Sequence, residues 1–78
     1  MPIYIESPEK LVGKHIQHKC VDGNTVVWFG GTVTGIKTVK PDPVKTEFNV
    51  IYDEEPEATW FFPLLSDMKK GDLLVDVN

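Results

Sequence analysis

Apolar residues in this chain come in short alternating runs, divided by clusters of Gly, Pro, Asn and Asp. A period of two, with β-branched and aromatic residues in the apolar places, predicts β-strands. No stretch holds the 3.6-residue period for long, so no long helix is expected. The first strand is predicted over residues 14–20, with Ile16, His18 and Cys20 on one face and His15, Gln17 and Lys19 on the other. Val21-Asp22-Gly23-Asn24 follows as a turn whose Asp-Gly pair accepts positive φ. A long second strand is predicted over residues 25–37, with Gly30-Gly31 marking a bulge or sharp bend that lets one strand serve two sides of a small barrel.

Pro41-Asp42-Pro43 cannot sit in a paired central strand, so residues 38–46 read as a loop. The third strand is predicted over residues 47–52, with Phe48, Val50 and Tyr52 on one face. An acidic turn, Asp53-Glu54-Glu55-Pro56-Glu57, leads to a fourth strand over residues 58–62 that Pro63 ends. Residues 73–77 make a fifth strand that closes the barrel. Two single helical turns complete the pattern. Ser7 caps one with Pro8 at its first position, and Ser66 caps the other with Gly71 after its end. Leu11, Val12, Phe48 and Phe62 are assigned to the core. Short strands with closely spaced turn signals define an all-β domain, a small barrel or sandwich, over residues 1–78.

Charge changes this picture by halves. Residues 1–45 hold six Lys against four acids, and residues 46–78 hold two Lys against eight acids. The second half therefore suits a basic partner. There is no Arg in the chain, and the net charge is −4, which disfavours a nucleic-acid binder. The lone Cys20 leaves no internal disulfide. The first residues are too short and polar for a signal peptide, and no apolar run is long enough to span a bilayer, so an intracellular protein is expected.

Candidate chemistry is sparse. His18 and Cys20 share a face but do not fill a tetrahedral metal site, and His15 points the other way. Cys20 as a nucleophile lacks an orienting third group beside His18, and no Gly-rich phosphate loop is present. Neither an enzyme nor a cofactor is expected.

Several segments in order resemble a Tudor-like repeat of the spindlin family: Leu11-Val12-Gly13-Lys14 with Gln17-His18, then Gly31-Thr32-Val33, then Tyr52-Asp53-Glu54-Glu55-Pro56, then residues 64–73. The resemblance covers residues 11–76 and implies a five-stranded antiparallel SH3-like barrel of the Tudor type with short helical turns. It also implies a nuclear, chromatin-type module that reads a trimethylated lysine (or a methylated arginine) in a basic peptide such as a histone tail. Such readers use an aromatic cage, because a quaternary ammonium has charge but no N–H donor, and ring faces attract it at about 0.5–2 kcal/mol each.

Carried over, the cage falls on Tyr52, on Trp60, and on either Phe29 or Trp28. Cys20 stands where the family has a further ring. Losing that wall is expected to cost roughly 1–2 kcal/mol, or about 5–30-fold in affinity. Peptide contacts are expected from His18, Glu54, Glu55, Asp67 and Asp72, with a helix-capping role as the alternative for Asp67. The other functional class is an interaction module without methyl recognition, forming a homodimer or part of a larger multi-repeat assembly, which the missing ring favours.

Overall fold

The computed structural model describes residues 3–76. A four-residue helix, α1 (Ile3–Glu6), and a 3-10 turn, Pro8–Leu11, precede strand β1 (His15–Asp22). Then come β2 (Thr25–Thr38), a 3-10 turn at Pro43–Lys45, β3 (Glu47–Tyr52), β4 (Trp60–Phe62), helix α2 (Leu64–Lys69) and β5 (Leu73–Val75). Val77, expected in β5, lies outside the described residues. The five strands form one antiparallel sheet in the order β4-β3-β2-β1-β5, so β1 to β4 run as a meander and β5 returns to pair with β1.

This is the expected small all-β, SH3-like arrangement, with no ladder joining β4 to β5 among the described residues. The sheet is nonetheless rolled. In a flat sheet β1 and β4 would lie about 14 Å apart, at about 4.8 Å per strand. The His18 ring of β1 instead lies 4.8 Å from the Phe62 ring of β4. The two meet across the interior.

Alternation decides what fills that interior. Ile16, Val33, Phe48, Val50 and Leu73 are buried from the strands, and Leu11, Leu64 and Leu65 are buried from the turn and α2. Met68 packs against this cluster one turn after Leu64 and Leu65, so α2 presents one apolar face to the core. Val12, expected in the core beside Leu11, is 37% exposed, because the 3-10 turn ends there and only Leu11 faces inward.

Three local expectations are corrected. Gly30-Gly31 is not a bulge: its pairing with β1 runs without interruption, and the register shifts on β2 fall between Val33 and Gly35 and between Ile36 and Thr38. The long strand still serves two sides, pairing with β1 through its first half and with β3 through its second. Ser66 is not a cap. Leu64 and Leu65 are drawn into the core, so α2 begins directly after Pro63, and the Asp67 N–H already donates to the Pro63 carbonyl at 3.2 Å. Ser7 occupies the N-cap position of its turn but makes no side-chain capping bond. Gly71 does follow the helix with φ of 80°, as a helix-ending glycine should. The β1–β2 hairpin turns on Gly23-Asn24, between the paired Asp22 and Thr25, with Gly23 at φ 62° in the first central position.

Candidate functional site

A cavity of about 250 Å³ opens at one end of the rolled sheet, lined by Cys20, Phe29, Tyr52, Glu54, Glu55, Trp60 and Phe62. The strand registers explain the membership. His18 pairs with Phe29, and Gly31 pairs with Tyr52, so these four residues share the inner face. The parity places Trp28 opposite Lys19 on the outer face, where it is 40% exposed. Of the two alternatives, Phe29 therefore lines the cavity and Trp28 does not. On β4, Trp60 and Phe62 turn inward, while Phe61 between them turns out and carries the Lys37 ammonium 3.9 Å above its ring.

The rings are set at angles to one another. Phe29 and Tyr52 stand edge to face with centroids 6.3 Å apart, and Tyr52 and Phe62 do the same at 6.2 Å. Phe62, expected in the core, packs against the core on one side and faces the cavity on the other. The missed signal was its spacing: two residues after Trp60, it shares a face with it. Gly31 makes room for this wall, since a Cβ there would lie 3.1 Å from the Tyr52 ring and 3.1 Å from the Ile51 carbonyl oxygen.

Behind Tyr52 lies a part-buried polar chain centred on a buried histidine. The His18 Nδ1 is 2.7 Å from the Tyr52 hydroxyl, and Nε2 is 2.9 Å from the Asp67 carboxylate. A carboxylate only accepts, so Nε2–H donates to Asp67 and Nδ1 accepts the tyrosine O–H. His18 is 5% exposed, and its ring plane lies within 9° of that of Tyr52, the two rings set end to end through this hydrogen bond with centroids 6.3 Å apart. This fixes both the tilt and the depth of the Tyr52 ring. Burial, with smaller contributions from Cys20 and Asp67, holds the Tyr52 phenol above the ordinary tyrosine range, so it stays a neutral donor. His18 and Asp67, expected to touch a peptide, are thus behind the cavity wall rather than in it. Asp67 lies in the first turn of α2 but makes no side-chain capping bond there, its carboxylate being bonded to His18.

The acidic turn is held by its backbone. The Asp53 N–H donates to Gly30, that of Glu55 to Tyr52, and that of Ala58 to Glu55, giving two successive turns with Pro56 in the second. Glu54 and Glu55 consequently sit on the cavity lining. Asp53 points away to the outer face and accepts from His15 Nε2 at 2.8 Å. His15 Nδ1 donates to Asp76, which also accepts from Gln17. Hydrogen bonds first to Asp76 and then to Asp53 raise the His15 pKa, and the bond from His15 lowers that of Asp76. Asp72, the remaining expected peptide contact, faces Lys19 at 3.8 Å, away from the cavity.

No set of three or more His, Cys, Asp and Glu side chains among the described residues is grouped to hold a metal ion. No helix among them is long and apolar enough to cross a membrane. The arrangement can receive a cationic, partly apolar group: the lining rings supply faces, and Glu54 and Glu55 bring negative charge to the same cavity. In class this is an SH3-like β domain with an acidic-rimmed aromatic pocket. No protein-family model matches the chain, and no curated protein matches it by sequence.

Proposed function

We propose that the chain is a reader module of the Tudor, spindlin-like kind, which takes the methylated ammonium of a lysine (or a methylated guanidinium) into the aromatic pocket. The observation that carries this reading is the convergence of Phe29, Tyr52, Trp60 and Phe62 with Glu54 and Glu55 around one cavity. A methylated cation gains from ring faces and from nearby carboxylates at once, whereas a neutral apolar ligand gains nothing from the latter. The residues flanking the methylated one are basic, as in a histone tail, and meet the acidic second half of the chain; a nuclear setting goes with that ligand. Phe62 supplies a wall on the β4 side, which offsets part of what Cys20 lacks as a ring.

Peptide titration tests the reading. A basic peptide with a methylated lysine binds more tightly than its unmodified copy, and Trp60→Ala removes the difference. Equal, weak binding of both peptides, unaffected by Trp60→Ala, contradicts it. A second reading, self-association through the outer sheet face, draws on the exposed Val21, Val26, Trp28 and Leu74 there. Sedimentation of wild type and Trp28→Ala separates the two. A strict monomer at all concentrations counts against self-association.

A further inference from the structure

The pocket's donors and acceptors bear on which methylation state it takes. All methylated forms of lysine carry the same charge, and ring faces attract each of them. They differ in hydrogen bonding: the trimethyl form has no N–H, the dimethyl form has one, and the monomethyl form has two. An N–H that enters a ring-lined cavity loses its water, and is penalised unless an acceptor replaces it.

Among the lining residues, Phe29 and Phe62 accept nothing, Trp60 only donates, and Cys20 is a weak acceptor. The Tyr52 hydroxyl is drawn inward to His18. The strong acceptors that the lining residues carry are the carboxylates of Glu54 and Glu55, exposed residues on a turn that three backbone hydrogen bonds and the Asp53–His15 contact hold beside the cavity. An N⁺–H donated to a carboxylate is among the stronger protein hydrogen bonds. A quaternary ammonium cannot make it, and offers methyl groups to the carboxylate side instead of to rings.

We infer that the pocket selects dimethyl-lysine over trimethyl-lysine, with the single N–H donated to Glu54 or Glu55 and the two methyl groups against the rings. This rests on the reading of the pocket as a methyl-ammonium site. Dimethyl-lysine is favoured over the monomethyl and unmodified forms because each lost methyl leaves a further N–H facing rings.

Calorimetric titration of the chain with one basic peptide, prepared with its lysine unmodified, mono-, di- and trimethylated, tests the selection. The dimethyl peptide is expected to bind about 3–10-fold more tightly than the trimethyl one, the range for a charge-assisted bond at a solvent-facing rim. In Glu54→Gln/Glu55→Gln, which keeps side-chain size, the ratio is expected to fall to about one or to invert, as an amide accepts without charge. Trimethyl binding equal to or tighter than dimethyl in the unaltered chain overturns the selection and leaves the reader function standing. A dimethyl preference that persists in the double variant overturns the role given to the two glutamates. Four peptides that bind alike, or not at all, overturn the reader function and the selection with it.

Discussion

The two faces of strand β1 solve the same problem in opposite ways. His15 and His18 are three residues apart, and each joins two partners that are distant in sequence. On the outer face, the half-exposed His15 sits between two carboxylates, one at each ring nitrogen, and this favours the cationic imidazole, whose nitrogens both donate. On the inner face, His18 sits between a carboxylate and a phenol, is nearly inaccessible, and needs only one N–H to satisfy both. The outer contact ties β5 and the acidic turn to β1 through charge. The inner one positions a pocket wall through directional hydrogen bonds to a buried ring. A buried polar group is difficult to replace, because its part-buried partners lose a hydrogen bond that solvent only partly restores.

The largest effect that separates the faces is expected from His18→Ala. It strands the Asp67 carboxylate and the Tyr52 hydroxyl and opens a hole beside Phe62, which should destabilise the domain by about 2–4 kcal/mol in a denaturant melt. Stability unchanged within a few tenths of a kcal/mol would show that the inner chain is not needed. Next comes Trp60→Ala. The ring is 44% exposed, so the fold should tolerate its loss, while affinity for a methylated peptide drops about 5–30-fold. A loss of fold without a loss of affinity in the surviving protein would reverse the assignment.

His15→Gln is expected to act more weakly, and in a pH-dependent way. The folded pKa of His15 is raised above its ordinary 6.5, so its stabilisation is complete below that value and fades as pH rises through the folded pKa. Asp76 is lowered from 3.8, so its share is present above 3.8 and fades as pH falls through the folded value. The gap in melting temperature between wild type and His15→Gln should therefore be widest between these two ordinary values and close on both sides, most visibly in alkaline buffer. A gap that is flat with pH would rule out an ionic outer contact. The smallest effect belongs to Trp28→Ala, which faces outward and should leave peptide affinity within error; a loss comparable to that of Trp60→Ala would put the wrong face at the ligand.

Much of this architecture is legible along the chain, since strand parity and turn chemistry are local. Strand β3 falls where its alternation predicts, between the Pro-containing loop and the acidic turn. Proline and glycine set the ends of β4 and α2 for reasons of backbone geometry. The choice between Trp28 and Phe29 is not local. One residue of register moves every side chain to the other face, and only the pairing of Gly31 with Tyr52 decides it. The Gly30-Gly31 pair reads as a bulge because glycines in strands often mark one, yet the pairing there is unbroken. Their reason here is close approach: a Cβ on Gly30 would lie 2.8 Å from the Asp53 carboxylate, just as one on Gly31 would meet Tyr52. The partners of both histidines, 34 to 61 residues away, are products of the rolled sheet, and no spacing in the chain announces them.

On the proposed function, the inner aromatic pocket, rather than the outer face, receives a methylated ammonium. The two tryptophans report on the two faces in a single experiment, because their indole N–H signals are resolved in a nitrogen–proton correlation spectrum and Trp60→Ala assigns them. Titration with a dimethyl-lysine peptide should move the Trp60 signal in a saturable manner and leave that of Trp28 in place, while the unmodified peptide moves neither to the same extent. Movement of Trp28 alone, or identical movement of Trp60 by the methylated and unmodified peptides, would contradict the account.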